Sequence, residues 1–268
     1  LNHPFTMAAA KIKFDPSLIE EIDCEAKVIR FRKGGWLRRI TGSRLGTILQ
    51  CNDFDTPFSA ALAMAGIYSK YETNKYLEAG SIIEPKIRNY LRTDGKNRLS
   101  EALGGIPVAG IEEPVDKFSC NFEHFPRGGR FGGMVDGYVI AERKRYAVLE
   151  VKTAGNRRSW TDDNGVISKV PGSYVMQASL YAELSGIDTI VFAVGFLEEE
   201  DYEEPSSWIP SEDNCFILPV SKPPEISSWM DAASEWYDEH LVNGVTPQWT
   251  DADAEIMEYI LGAVNQQR

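Results

Sequence analysis

Residues 132–152 read GGMVDGYVIAERKRYAVLEVK: two short apolar strands around a charged turn, Glu142-Arg143-Lys144-Arg145. Three ionisable residues, Asp136, Glu150 and Lys152, are set into those strands. Side chains alternate along a strand, so Glu150 and Lys152 share a face. Their neighbours Val148, Leu149 and Val151 are apolar, which predicts a largely buried strand. Two acids and a lysine buried together are costly unless they bind one another or a metal. The stretch is read as a metal site.

Opposed residues in an antiparallel hairpin have a constant index sum. Asp136 faces Glu150 at a sum of 286 and Lys152 at 288. Both sums are even, which requires an odd-length loop or a bulge near Glu142 to Arg145. A two-residue turn alone leaves Asp136 on the wrong face, so an odd loop is expected.

The chain has 268 residues, 43% of them apolar and 11% aromatic, ordinary for a globular protein and ample for one sizeable core. No apolar run approaches the roughly 20 residues that span a bilayer, so a soluble, cytoplasmic protein with no membrane partner is expected. Residues 1–6, LNHPFT, carry no structural pattern, and Met7 is read as the natural start. Cys24, Cys51, Cys120 and Cys215 are scattered without a C-x-x-C pair. That pattern argues against a zinc or iron–sulfur site and predicts reduced, mostly buried thiols. The net charge of −12 speaks against a broad nucleic-acid-binding surface. It leaves room for a narrow basic channel, since part of the excess sits in Glu198 to Asp201 and in Glu203-Glu204, away from the hairpin in sequence.

Asp15 and Pro16 are helix-opening residues and predict a short helix over 15–26, followed by a strand at Val28 to Arg32. Thr41 or Ser43 caps a helix running to Gln50. Its first N–H groups, with Ser43, Arg44, Arg38 and Arg39, suit a phosphate. Residues 57–71 read as a buried helix and 74–91 as a second, with Glu84 beside Ile82, Ile83 and Ile87. Strand-like VAGI and KFSCNF lie within 106–122. The long polar loop after Lys152 carries Arg157, Arg158 and Trp160, positive charge with an aromatic plate of the kind that binds nucleic-acid strands. A helix over 174–185 puts Gln177 and Tyr181 on one face, with Tyr174 three residues before Gln177. The apolar run Thr189 to Leu197 is a strand covered on both faces, and strand, helix and strand together predict a parallel crossover. A strand at Cys215 to Val220 and helices at Ile226 to Val242 and Ala252 to Val264 complete the chain.

Five motifs then fall in one order: ITGSRLG at 40–46, GSIIEP at 80–85, GMVDG at 133–137, LEVK at 149–152, and Gln177-x-x-x-Tyr181. Each alone is weak; the ordered set is specific. The chain resembles the PD-(D/E)XK nuclease superfamily, and within it the lambda exonuclease and YqaJ-like viral recombinase family. The resemblance implies an α/β fold: a central mixed sheet flanked by helices, a restriction-endonuclease-like core over about 36–197, and helical N-terminal and C-terminal additions, the latter over 225–268. Residues 1–268 are expected to form a single nuclease domain.

The resemblance further implies Asp136 and Glu150 as metal-binding carboxylates, Lys152 as the catalytic lysine, Glu84 as an auxiliary acid also available to the metal, and Gln177 as a supporting residue. It assigns Ser43 a DNA phosphate contact. The family's 5′-phosphate-binding arginine aligns here with Trp36, which leaves Arg38 or Arg39 as the substitute. Phosphodiester hydrolysis calls for one or two Mg²⁺ ions, with Mn²⁺ as a replacement, on Asp136, Glu150 and the Val151 carbonyl. Tyr174 and Tyr181 are expected behind these groups. The implied activity is 5′-to-3′ degradation of linear double-stranded DNA for phage-type recombination, by a trimeric ring that works with a single-strand-annealing protein at DNA ends. Another PD-(D/E)XK nuclease, endonuclease or RecB-like, and a non-catalytic DNA-end-binding protein stay open.

Overall fold

Asp15 and Pro16 open a helical turn that goes no further than Leu18. In the computed structural model, which describes residues 11–32, 37–52, 55–71, 74–120, 122–126 and 128–266, strand β1 (Lys11–Phe14) leads into a 3₁₀ turn, Pro16–Leu18. The Asp15 carboxylate accepts the Ser17 N–H at 3.1 Å, as a start signal should. The chain then extends as β2 (Ile19–Asp23) and pairs antiparallel with β3 (Val28–Phe31). The helix expected over 15–26 is therefore corrected to a turn and a strand, because pairing with β3 satisfies the backbone groups that a helix would have used. The expectations on residues 1–6 and on Trp36 lie outside the described residues.

Helix α1 (Gly42–Ile48) follows, with Thr41 at its cap position. Helix α2 (Pro57–Ala65) is opened by a reciprocal Thr56–Ser59 capping box and closed by Gly66 at φ +78. The chain continues as β4 (Tyr68–Tyr71), antiparallel to β1. The single helix expected over 57–71 is thus a helix, a left-handed glycine and a strand, and the N-terminal part is as much β as α. These elements form one compact unit with residues 129–131 and 227–266.

The other unit holds the remaining described residues from 74 to 226. Helix α3 (Lys75–Arg92) starts where Asn74 accepts the Leu77 N–H at 2.9 Å, and α4 (Lys96–Ala102) follows. Then come β5 (Val108–Glu112), β6 (Gly137–Ala141), β7 (Lys144–Ala154), α5 (Gly172–Ser185), β8 (Thr189–Phe196), the short α6 (Glu199–Glu203) and β9 (Cys215–Ser221). The sheet order is β5-β6-β7-β8-β9. Only β7 and β8 run parallel, joined through α5 as the crossover rule requires; the other pairs are antiparallel. Among its described residues the KFSCNF segment is no strand: Asp116 accepts the Ser119 N–H at 2.7 Å and the chain turns there.

Ile83 and Ile87 of α3 share a core with Ala147, Leu149 and Val151 of β7. Alternation sends Val148, Glu150 and Lys152 to the opposite face, toward α5. Within the first unit, α7 (Ile226–Trp236) runs on as a π-helical turn, Tyr237–Val242, and α8 (Ala254–Asn265) ends the chain. Among the described residues no helix is long and apolar enough to cross a membrane. The four cysteines are free, yet only Cys215 is fully buried; Cys24 and Cys51 are exposed, which corrects the expectation of mostly buried thiols.

The hairpin register departs from the odd loop expected. Ala141 pairs with Lys144 across a two-residue turn, Glu142-Arg143, with both residues left-handed at φ +50 and +62. The shift comes between Val139 and Ile140, where Tyr146 bulges out of β7. Beyond the bulge Gly137 pairs with Leu149, which restores the even sum and sets Asp136 toward Glu150. Gly137 itself, at φ +154, lets β5 approach so closely that an added Cβ would lie 2.8 Å from the Glu112 carbonyl oxygen. A Gly137→Ala substitution should therefore destabilise the protein by roughly 1–3 kcal/mol in urea unfolding. A variant as stable as its parent would show that this approach is not constrained.

Candidate active site

Strand β7 carries a buried acid and a lysine on one face, and α5 provides what they need. The Lys152 ammonium lies 2.6 Å from Glu150 Oε1, with the Glu150 side chain only 1% exposed. Gln177 of α5 donates from Nε2 to the same Glu150 oxygen at 2.7 Å and accepts from Lys152 Nζ at 3.5 Å. A buried amide demands partners at both ends, and this one has them. The ring of Tyr174, one turn earlier, is centred 4.9 Å from the Lys152 nitrogen. Asp136 arrives just before β6 and accepts the Val151 N–H at 2.8 Å.

The acids are held away from their ordinary values. Burial pushes the Glu84 carboxyl up to about 7, and the Asp136 charge adds to that, while Arg88, Lys152 and Lys117 pull the other way. Burial also raises Asp136, against the opposing Lys152 charge and the Val151 N–H. Glu150 is raised by burial and, more weakly, by Asp136 and Glu84, although Lys152 opposes the shift. Burial works against the Lys152 charge, but Glu150 and Asp136 outweigh it and hold the ammonium firmly protonated. Three carboxyls thus repel one another around one lysine.

That arrangement suits a hard divalent cation. The donors are all oxygens, the acids' charges raise one another's proton affinity against the opposing Lys152, and Glu150 Oε2 is buried with no hydrogen-bond partner. Among the described residues, however, no three Asp, Glu, His or Cys side chains are already gathered into a cation cage. Glu150 Oε1 is engaged by Lys152 and Gln177, so these groups must adjust to accept an ion.

Sequence reading missed three contributors. Arg88, one helical turn after Glu84, is buried and bonded through Nε to Glu113 at 2.8 Å. Lys117 comes from the turn after β5. The Thr153 hydroxyl and a Glu84 carboxylate oxygen both lie beside Gly80, 3.6 and 3.8 Å from where a Cβ would stand. Only Arg88 left a signal, its four-residue spacing from Glu84. Tyr181, expected behind the site, packs elsewhere: its ring stacks on Phe125 at 6.0 Å and lies against Gly133.

Of the groups read as DNA contacts, Arg38, Ser43 and Arg44 line one cavity of about 750 Å³ within the first unit, together with Thr47, Asn52 and Lys70. Arg44 donates from Nη1 to the Arg39 carbonyl at 2.7 Å, and Arg39 donates to the Phe131 carbonyl. Arg157 and Arg158 are exposed, with Arg157 4.9 Å over the Phe196 ring. Trp160 is no open plate: at 1% exposure it stacks on Tyr174 at 5.6 Å and meets Phe196 edge-on. Burying its large apolar area outweighs leaving it on a polar loop.

The chain thus folds as a five-stranded mixed sheet flanked by helices, with a D…E-x-K constellation on and beside its central strand. The YqaJ-like viral recombinase domain family matches residues 29–188, which hold all five motifs, and the chain belongs to that family. The uncharacterized protein MG373 of Mycoplasma genitalium is 26% identical over 84% of this chain and 88% of its own length. Its Mycoplasma pneumoniae homolog is 27% identical over 82% and 87%. Among solved structures, the alkaline exonuclease LHK-Exo of Laribacter hongkongensis is 16% identical, with TM-score 0.45 and coverage of 88% of this chain and 98% of that one. A phage-related exonuclease of Haemophilus somnus is 17% identical, with TM-score 0.49 and coverage of 76% and 95%. Both structural likenesses are distant.

The raised Glu84 value makes stability depend on pH. An acid whose folded value lies near 7 rather than 4.5 favours folding below 4.5, and that contribution is lost as pH rises through about 7. Thermal unfolding without added metal should come at a higher temperature at pH 5.5 than at 7.5. Glu84→Gln should flatten that dependence by raising the midpoint at pH 7.5. An unchanged pH profile in the variant would remove Glu84 from the repelling cluster.

Proposed function

We propose that the chain is a divalent-metal-dependent exodeoxyribonuclease, acting as a single nuclease domain that degrades linear double-stranded DNA from 5′ to 3′ in phage-type recombination. The observation that carries the reading is the buried Glu150–Lys152 pair bridged by Gln177, with Asp136 held on the Val151 N–H and Glu84 close enough for the acids' charges to act on one another. Asp136, Glu150, the Val151 carbonyl and Glu84 are the groups to hold Mg²⁺ or Mn²⁺, as one ion or two. When bound, the ion neutralises the phosphodiester and makes its water a better nucleophile. Lys152, kept protonated, donates to the attacking water or to a phosphoryl oxygen. Gln177 holds Glu150 and Lys152 in register, and the Val151 N–H fixes Asp136. Tyr174 shields the lysine from bulk water.

Arg38, Ser43 and Arg44 are proposed as DNA phosphate contacts on their shared cavity, with Arg39 behind Arg44 and with Arg157 and Arg158 as further backbone contacts. Membership of a viral recombinase family supports the recombination role; a cytoplasmic setting in a bacterial or phage-infected cell, a trimeric ring around DNA and a single-strand-annealing partner complete the proposal.

End-labelled linear duplex should be degraded with Mg²⁺, more readily with a 5′ phosphate, and spared in EDTA, while closed circles survive. Asp136→Asn and Lys152→Met should each lower the rate by at least about 10²-fold with the fold retained. Cleavage of circles would replace the exonuclease with an endonuclease, and full activity in either variant would dismiss the assigned site.

A further inference from the structure

The turn after β5 exposes two aromatic rings. Phe118 is 72% exposed and Phe122 52%, and the rings meet edge to face at 5.6 Å and 76°. Lys117 places its ammonium 5.6 Å from the centre of the Phe118 ring. Hydrogen bonds within the turn set this shape: the Phe122 N–H donates to the Lys117 carbonyl at 2.7 Å, with Phe122 left-handed at φ +60. That conformation is costly for a bulky residue. Yet the apolar gain that folding normally takes from a phenylalanine is not taken here.

The turn is tied to the approach to the acids. The Cys120 thiol donates to the Met134 sulfur at 3.6 Å, and the His124 N–H donates to the Gly133 carbonyl at 2.9 Å. Gly133 and Met134 lead directly into Asp136. Lys117 is also close enough to Glu84 for its charge to act on that carboxyl. The turn that carries the rings is therefore bonded to the segment leading into Asp136, with a cation alongside.

An aromatic face stacks on any nucleobase, and an ammonium meets the phosphate next to it. We propose that Phe118 and Phe122 form a stacking subsite for one unpaired nucleobase of the DNA strand being hydrolysed, with Lys117 on a neighbouring phosphate. Interior bases of a duplex have both faces covered by their neighbours, so the subsite takes a base from the strand's open end, where it comes free of its pair. The subsite rests on the nuclease reading above and adds to it that the strand is locally single where it enters. A protein partner fits the same rings less well, because they sit on a turn bonded to the segment leading into Asp136 and carry their own cation.

The test uses the full chain in EDTA and short single-stranded oligonucleotides carrying 2-aminopurine, or an abasic residue, at each position in turn. The parent chain should quench 2-aminopurine at one position and bind the strand abasic there about 5- to 100-fold more weakly. Phe118→Ala/Phe122→Ala should bind the intact strand weakly and be indifferent to the abasic residue, and Phe118→Tyr/Phe122→Tyr should restore both effects. The abasic comparison on the parent needs no variant, so a misfolded alanine pair leaves the test standing. A parent indifferent to every abasic position overturns the subsite. So does an alanine pair that binds normally but sediments at a different mass, which would assign the rings to contact between copies. If the parent neither binds nor degrades any DNA, the nuclease reading itself falls.

Discussion

An ammonium 2.6 Å from a carboxylate, both on one face of a central strand, is the constraint from which the site follows. Taking two such ions out of water costs several kcal/mol each, and their attraction offsets this only when the remaining lone pairs and protons find partners. Gln177 and Tyr174 of α5 meet part of that demand from the face on which α5 packs. The parallel β7–β8 pair is what allows α5 to lie there, since the crossover between them must pass over one face. The parallel connection thus sets α5 beside the buried ion pair.

The pair nevertheless leaves charge unbalanced. Three carboxyls and one lysine form the centre, with Arg88 and Lys117 acting from its edge. A protein built for stability alone would have no use for Glu84 held near neutrality or for a buried Glu150 oxygen without a partner. Destabilised groups of this kind concentrate where chemistry is done. The backbone around them is equally committed. Gly137 admits β5 to contact distance beside Asp136, and Gly133 gives way to the ring of Tyr181.

Much of this was legible before the fold. The apolar run of β8, the periodicity of α3 and the amide of Gln177 each depend on spacing along one element, and each lies where the spacing put it. Other readings failed where a partner distant in sequence decided the outcome. Residues 19–23 became a strand because β3 was there to pair with. The run over 57–71 broke at Gly66 because its last four residues found β1. The polar loop gave no hint that Trp160 would leave it for Tyr174 and Phe196.

The hairpin marks the division. Alternation along LEVK put Glu150 and Lys152 on one face, and Asp136 joins them only at an even index sum. Residue identity alone determined that much, because a strand has only two faces. Whether parity came from an odd loop or from a tight turn with Tyr146 bulged beyond it was decided by packing. The reason is physical: a turn and a bulge trade off through hydrogen bonds between strands, and those exist only once β5, β7 and β8 have come together.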